Sequence, residues 1–219
     1  MRILAIAVAA LLAQAAPAQS PHTHQHSFGD AEKWSHVFDD PERDVWQKPH
    51  AVLEALALKP EAVVADHGAG TGYFSARLAR MLPKATVYAV DVEPDMVKYL
   101  GERAKREGLA NLKPVQAASG DARLPDKVDL VLLVDVYHHI EARERYFRRL
   151  ASSLRPDARV AVIDFRLDSP EGPPVAARVA PEQVRAELAQ AGYALVAEHG
   201  FLPRQYFLVF RVENPAARR

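Results

Sequence analysis

The sequence predicts an α/β domain whose core is a doubly wound, mostly parallel sheet. Short runs of apolar, β-branched residues alternate along the chain with segments whose apolar residues recur every three or four positions. In the clearest unit, residues 63–74, a strand-like run leads into three glycines at alternate positions and then into a helix-like run. Strands that alternate with helices in this way are typical of parallel sheets built from βαβ units.

The composition fits one enzyme-sized domain with modest additions. The chain has 219 residues, of which 49% are hydrophobic, so it can bury a full core. Lys plus Arg and Asp plus Glu number 28 each, and this balance predicts no nucleic-acid partner. The absence of cysteine excludes disulfides, thiolate metal sites and a cysteine nucleophile.

The first 18 residues have the pattern of a cleavable secretory signal. A charged start at Arg2 is followed by the apolar run 3–13 and by an AxA site formed by Ala16 and Ala18. The run is too short to span a bilayer, and no cysteine follows it for lipid attachment, so we expect no stable membrane anchor. The leader predicts a periplasmic or secreted protein; if the leader is not functional, the protein is cytoplasmic.

A flexible linker is predicted over residues 19–33. It carries His22, His24 and His26, and short His tracts of this kind can bind zinc, copper or nickel. No second cluster of metal-binding side chains lies nearby to complete a rigid site, so we assign no metal site.

Residues 34–58 are predicted to form an N-terminal helical cap of two short helices. Asp40 is suited to cap the first helix with Pro41 at its first position, and Pro49 begins the second. The sheet domain then extends over residues 59–214.

The glycine turn is the most specific signal in the chain. Residues 66–72 read Asp-His-Gly-Ala-Gly-Thr-Gly, and Tyr73 occupies the place where a dinucleotide fingerprint requires its third glycine. The segment instead resembles motif I, (D/E)xGxGxG, of the class I S-adenosylmethionine-dependent methyltransferases. His67 stands where that motif more often has an apolar residue.

The resemblance implies a Rossmann-like sheet of seven strands in the order 3-2-1-4-5-7-6, with S-adenosylmethionine as cofactor. It also implies that the N-terminal cap lies over the cofactor cleft. Trp34, Phe38 and Trp46 are therefore candidates for lining a substrate pocket, although aromatic side chains more often serve in ordinary core packing.

The next two strands support an adenosine ligand. Asp91 ends the strand 86–91 roughly 20 residues after the turn, where a carboxylate can accept hydrogen bonds from both ribose hydroxyls. Pro114 interrupts the third strand, 112–117, and so predicts an edge strand. After it, Asp121 and Ala122 resemble the family's GDA segment, in which the Asp binds the adenine amino group; a turn residue is the alternative for Asp121.

The fourth strand, 128–134, is nearly all apolar, as expected of a central strand. It ends at Asp135, followed by Tyr137, His138 and His139, and ligands of open α/β sheets bind at the carboxyl ends of strands near this point. His138 is the preferred general base, with His139 as a second candidate and Tyr137 as a substrate-positioning residue. Alternatively, both histidines are structural and the acceptor ionises unaided.

The predicted cofactor contacts lie at or after the ends of the first four strands. The set is Asp66, Gly68, Ala69, Gly70, Gly72, Asp91, Val92, Asp121, Ala122 and Asp135.

The rest of the chain predicts a helix over 142–154, a strand over 160–165 and a helix that begins at Pro181. A closing hairpin of 193–198 with 205–212 resembles the antiparallel seventh strand of the methyltransferase sheet.

These features together predict a methyltransferase that acts on a small-molecule acceptor. The chain lacks the (D/N)PP(Y/F) segment of the family's amino-group methylators, and the absence of cysteine argues against thiol-dependent arsenic methylation. Two alternatives stay open: an NAD-dependent oxidoreductase, and an exported, non-catalytic protein that binds an adenosine ligand or a metal. S-adenosylmethionine is a cytoplasmic metabolite, so export and activity are in conflict. The sequence gives no oligomeric state.

Overall fold

A computed structural model describes residues 30–213, and its centre is one sheet of seven strands. Their order is β3-β2-β1-β4-β5-β7-β6, which confirms the predicted Rossmann-like topology. β1 to β5 pair in parallel, whereas β7 runs antiparallel to both β5 and β6. The strands are β1 Val63–His67, β2 Thr86–Asp91, β3 Leu112–Gln116, β4 Val128–Val134, β5 Leu154–Phe165, β6 Tyr193–His199 and β7 Gln205–Val212.

Helices cover both faces of the sheet. The α-helices of the described residues are α1 Ala31–Phe38, α2 Arg43–Gln47, α3 Pro49–Ala55, α4 Tyr73–Met81, α5 Pro94–Arg106, α6 Arg143–Leu150 and α7 Pro181–Gln190. Buried side chains of α3, α4 and α5 form one core layer, and those of α6 and α7 form the other. β4 contributes to both layers because its alternate residues point to opposite faces. In residues 30–213, no helix is long and apolar enough to cross a membrane.

Two parts of the fold differ from the sequence prediction. The cap, which we define as residues 30–58, has three helices rather than two, and α1 begins inside the predicted linker because Asp30 caps it by accepting from the Lys33 N–H. Strand β5 starts at Leu154 instead of residue 160. Its pairing with β4 shifts register after Val128, which lets the strand pass through Asp157 in a left-handed backbone conformation.

The third strand lies at the sheet edge, as Pro114 predicts. Pro114 pairs with Ala89 on β2, and the other side of β3 has no strand neighbour in the described chain. A proline there removes a donor that the ladder does not need.

The predicted leader, including the Ala18 cleavage site, and the His22, His24 and His26 tract lie outside the described residues.

Candidate functional site

The glycine turn, residues 68–72, joins β1 to α4 in a conformation that side chains would obstruct. Gly68, Gly70 and Gly72 have φ angles of 73°, 54° and 91°, in the left-handed region. A Cβ at Gly68 would lie 2.3 Å from a methyl group of Val136, and one at Gly72 would lie 2.7 Å from Leu100. Only glycine allows the turn to pack this closely against the end of β4 and against α5.

Asp91 holds the turn in place from the end of β2. Its Oδ2 accepts from the Gly70 N–H at 2.8 Å, and its Oδ1 accepts from the Glu93 N–H at 3.0 Å. Burial raises the pKa of this carboxyl, although these two hydrogen bonds oppose the shift. Each carboxylate oxygen has two lone pairs, so Asp91 can still accept from two hydroxyl groups. The next residue, Val92, is 53% exposed and offers an apolar surface beside it.

Asp66, in β1, contacts α4. Its carboxylate accepts from the Ser75 hydroxyl at 2.6 Å, and burial raises its pKa to about 6. This contact fixes the start of α4 against β1. Within the turn, Ala69 is buried and its N–H donates to the Val90 carbonyl, while the buried Thr71 hydroxyl has no hydrogen-bond partner among residues 30–213.

The segment after β3 is a tight turn. The backbone groups of Ala118 and Asp121 exchange hydrogen bonds, and the Asp121 carboxylate accepts from the Arg123 N–H at 3.0 Å. This hydrogen bond gives Asp121 the turn role that the sequence left open as an alternative. The next residue, Ala122, is buried in the core. Adenine binding by Asp121 stays a prediction.

At the end of β4, the carboxylate of Asp135 joins the cap to the sheet. It accepts from the Gln47 amide at 2.9 Å and from the Gln205 amide of β7, and Arg43 of α2 lies 3.9 Å away. Asp135 itself has a φ angle of 59°. Burial and the neighbouring charge of Asp164 raise its pKa, against the opposing charge of Arg43.

His138 is the histidine that enters the site. It lies in a single 3₁₀ turn, Tyr137–His139, and its Nδ1 is 2.8 Å from Oδ2 of Asp164, at the end of β5. Burial lowers the pKa of His138, but the hydrogen bond and charge of Asp164 outweigh burial, and the net shift is upwards. When Nδ1 donates to Asp164, Nε2 is the nitrogen that can take a proton.

The two neighbours of His138 are placed differently. His139 is exposed and its ring lies 4.0 Å from that of His138. Tyr137 is fully buried; its hydroxyl donates to Glu187 of α7 and its ring stacks on Phe147. The side chain of Tyr137 therefore serves packing between β4 and the two C-terminal helices, in contrast to the substrate-positioning role predicted for it.

His67, the unusual residue before the turn, is buried at the end of β1. Its Nε2 lies 2.8 Å from the Tyr146 hydroxyl, and its Nδ1 has no hydrogen-bond partner among residues 30–213. Burial lowers its pKa to about 4, so the ring is neutral at pH 7.

The cap lies against the glycine turn and the end of β5. Trp34 stacks on Phe38 with ring centroids 5.3 Å apart, and the Phe38 ring approaches to 3.2 Å of the place where a Gly70 Cβ would stand. Trp46 lies 5.7 Å from Phe165 at the end of β5. Of the three aromatic residues predicted to line a pocket, Trp34 and Phe38 therefore lie at the glycine turn, and Trp46 lies at the end of β5.

Ion pairs hold the cap against the two helices beside the glycine turn, α4 and α5. Arg103 of α5 donates to both carboxylate oxygens of Asp39, at 2.8 and 3.0 Å, and to the Thr71 carbonyl at 2.9 Å. Asp44 binds the Tyr73 hydroxyl and the Arg77 guanidinium. The cap is therefore tied to the glycine turn and to both helices beside it.

Several residues of this site were missed by the sequence prediction. They are Asp164, Gln47, Gln205 and Arg43. Asp164 ends an apolar strand in the same way as Asp91 and Asp135, and that pattern could have identified it. The other three gave no signal, because their side chains meet Asp135 only after the chain has folded.

The described residues fit an adenosine-type cofactor. Three features support the fit: a turn that a Cβ would fill, the buried and unpaired Thr71 hydroxyl, and the Asp91 carboxylate beside the exposed apolar Val92. No group of three or more His, Cys, Asp or Glu side chains in residues 30–213 is arranged to hold a metal ion.

Comparison with known proteins supports one class of enzyme. A family model described as "Methyltransferase domain" matches residues 64–157. The solved structure of a SAM dependent methyltransferase from Aquifex aeolicus is 27% identical in sequence and superposes with a TM-score of 0.77, covering 83% of this chain and 97% of that one. The matched domain and this structural neighbour support a class I S-adenosylmethionine-dependent methyltransferase, and they imply S-adenosylmethionine as its cofactor.

Two curated relatives match about half of the chain. The protein-L-isoaspartate O-methyltransferase of Aeropyrum pernix is 30% identical over 115 residues, which are 51% of this chain and 42% of the relative. The malonyl-[acyl-carrier protein] O-methyltransferase of Methylococcus capsulatus is 32% identical over 107 residues, or 48% of this chain and 38% of the relative. This chain thus spans less than half the length of either relative.

Proposed function

We propose that this protein transfers the methyl group of S-adenosylmethionine to a small molecule, with His138 as general base. The observation that carries the proposal is the His138–Asp164 pair, which stands at the carboxyl ends of β4 and β5 beside the glycine turn. This is the edge at which open α/β sheets bind their ligands. The dinucleotide oxidoreductase alternative finds no support in the matched family.

Burial of the reacting groups favours a small acceptor. The side chains of His138 and Asp164 are only 5% and 1% exposed. A large macromolecule could present only a thin protruding group to such a site. The equal numbers of acidic and basic residues likewise favour no polyanionic acceptor.

When bound, the cofactor would supply an electrophilic methyl carbon on a sulfonium, whose sulfur would keep the electron pair of the broken bond as the acceptor atom bonds to that carbon. His138 takes the proton of the acceptor at Nε2, and the Asp164 carboxylate stabilises the imidazolium that results. The glycine turn and Asp91 orient the cofactor, and the cap excludes water. Positioning of the acceptor contributes much of the acceleration.

Cofactor binding is assigned to the residues predicted for it. Asp91 and Val92 would hold the adenosine, the backbone of residues 68–72 would approach the rest of the cofactor, and Asp121 with Ala122 would flank the adenine. Asp66 contributes indirectly, through its bond to Ser75 at the start of α4. Asp135 is placed to accept from a cofactor or acceptor donor in exchange for Gln47.

The test is calorimetry and methyl transfer with the purified protein. We expect S-adenosylmethionine to bind and NAD to bind more weakly or not at all; the reverse order would refute the proposal. Once an acceptor is found, His138→Ala should lower the rate by about 10² to 10⁴, the range typical of general-base loss. The exposed neighbour provides the matched control, because His139→Ala should retain the rate within about tenfold. Equal small effects of both substitutions would remove His138 as the base.

We also propose that the protein is exported and cleaved after Ala18. The support is the charged start, short apolar run and AxA site of residues 1–18. N-terminal sequencing of protein from its native host should find a mature chain that begins at Gln19. A chain that begins at Met1 and occurs only in the cytosol would refute export, and would resolve the conflict over the cofactor supply.

A further inference from the structure

Tyr206 is a buried polar residue beside the proposed base, His138. It has no role in the mechanism proposed above. It lies on β7, directly opposite Asp164 of β5 in the antiparallel ladder. Residues paired in this way point to the same face of the sheet, with Cβ atoms roughly 5 Å apart. The side chain is 5% exposed, and its hydroxyl has no hydrogen-bond partner among residues 30–213.

An unpaired hydroxyl at such a depth is unfavourable in the fold. A buried polar group without a partner destabilises the folded state by about 1–3 kcal/mol. The neighbouring carboxylate is already engaged: Oδ1 of Asp164 accepts from the Phe165 N–H at 2.8 Å, and both of its oxygens face Nδ1 of His138. The Tyr206 hydroxyl therefore stands next to the His138–Asp164 pair with its hydrogen-bonding capacity unused.

The hydroxyl stays protonated and acts as a donor. Burial raises the pKa of Tyr206, and the charges of Asp164 and Asp135 raise it further. Ionisation is thus suppressed, and the group has a proton to offer to an oxygen atom of a ligand.

We propose that the Tyr206 hydroxyl binds the methyl acceptor, donating to an oxygen that neighbours the hydroxyl deprotonated by His138, and that this acceptor is uncharged. The inference rests on the proposed methyltransferase function and adds a substrate class to it. The acceptor is a neutral hydroxyl compound with a second oxygen, such as a carbonyl, on the adjacent carbon framework.

The charges around the site exclude an anionic acceptor. Asp135 and Asp164 are neighbouring carboxylates, and the charge of Asp164 raises the pKa of Asp135. The guanidinium of Arg43, the cation near Asp135, is engaged by the side-chain oxygen of Gln47 at 2.6 Å and by the Phe38 carbonyl. Arg143, the cation that acts on His138 and Tyr206, is paired with Glu187 at 2.6 Å. A carboxylate or phosphate on the acceptor would therefore meet net negative charge from the side chains of a low-dielectric site.

The first test uses stability, which requires no acceptor. Tyr206→Phe removes a hydroxyl without a partner, so the Tm should stay equal or rise. Tyr193→Phe is the matched control: Tyr193 is a buried tyrosine of β6 whose hydroxyl donates to the Phe147 carbonyl at 2.8 Å, so its Tm should fall. A lower Tm for Tyr206→Phe, comparable with that of Tyr193→Phe, would show that the hydroxyl is bonded within the fold and would overturn the proposal.

The second test uses three probes with full-length protein and S-adenosylmethionine labelled in its methyl group. 2-Hydroxybenzamide is neutral with a carbonyl beside its hydroxyl, 2-hydroxybenzoate has the same shape with a negative charge, and 4-hydroxybenzamide has its carbonyl far from the hydroxyl. We expect labelled product from the first at least about tenfold faster than from either of the others. Tyr206→Phe should raise KM for 2-hydroxybenzamide by about tenfold, the effect of one hydrogen bond, with kcat changed much less.

The outcomes separate this inference from the proposed function. Cofactor affinity, measured by calorimetry, should be unchanged in Tyr206→Phe. Binding of S-adenosylmethionine without transfer to 2-hydroxybenzamide, or faster transfer to 2-hydroxybenzoate, overturns the substrate class alone. Transfer to 2-hydroxybenzamide with an unchanged KM in Tyr206→Phe overturns the role of Tyr206. A failure of the wild-type protein to bind S-adenosylmethionine overturns the proposed function, and this inference with it.

Discussion

Removing the imidazole of His67 should flatten the dependence of stability on pH in the acidic range. His67 is buried and neutral in the folded protein, with a pKa lowered from 6.5 to about 4. The unfolded chain binds a proton at about pH 6.5, so the unfolded state gains protons first as the pH falls. Stability that is present above pH 6.5 is therefore lost progressively as the pH falls towards 4.

The size of the effect follows from the shift in pKa. At about 1.4 kcal/mol per pH unit, a pKa lowered from 6.5 to about 4 corresponds to about 3 kcal/mol between these two pH values. Substituting His67 alone would also leave the Tyr146 hydroxyl without its partner at 2.8 Å. Tyr146→Phe is therefore the background for the comparison, and His67→Leu is added to it.

The measurement is urea unfolding followed by far-ultraviolet circular dichroism at intervals from pH 7 to pH 4. Circular dichroism is preferred because both tryptophans of the chain, Trp34 and Trp46, lie in the cap, and their fluorescence reports mainly on that segment. The free energy of unfolding of Tyr146→Phe should fall by about 3 kcal/mol more over this range than that of the double variant. Asp66 and Asp91 also titrate abnormally, but they are present in both proteins and cancel in the difference. Parallel curves for the two proteins would refute a buried neutral His67.

Three further outcomes are expected. Asp164→Asn should move the acidic limb of the kcat/KM profile to lower pH, because Asp164 raises the pKa of His138 and the base acts in its neutral form; an unmoved limb would separate Asp164 from the base. Asp91→Ala should weaken cofactor binding by about 1.5–3 kcal/mol in calorimetry, since it removes charge-assisted hydrogen bonds, whereas Asp91→Asn should retain part of the affinity. Asp39→Ala should loosen the cap by removing its ion pair with Arg103, so that tryptophan fluorescence shifts to the red while far-ultraviolet circular dichroism is retained; unchanged fluorescence would show that the other cap contacts suffice.

Patterns within one segment predicted the sheet well. The apolar runs of β2, β4 and β7 gave both ends of each strand as the structure has them, because central strands are covered on both faces and need continuous apolar residues. The start of β5 was missed because Pro156 and Asp157 read as a turn, whereas the structure keeps them in an irregular strand. Local turn signals cannot show that a neighbouring strand continues the ladder.

Site residues, too, could be predicted only where the signal lies within one segment of the chain. The glycine turn and Asp91 could be predicted because their geometry is local, and the comparison with known families agrees with the class they indicated. The roles of individual site residues stay predictions, including those of His138 and Asp121. Gln47, Gln205 and Tyr206 could not be assigned from sequence, because an amide or a phenol acquires a role only from side chains that distant segments bring beside it.

The long-range contacts that hold the cap on the sheet domain determine when in folding the cap can dock. Gln47 contacts Gln205, 158 positions later in the chain, and the Lys48 ammonium donates to the Phe201 carbonyl, 153 positions later. Contacts between such distant positions form late, since the intervening chain must be ordered first. During synthesis, the first helices of the described chain leave the ribosome long before the residues that hold them. We therefore expect the segment that covers the site to be the last to reach its native place.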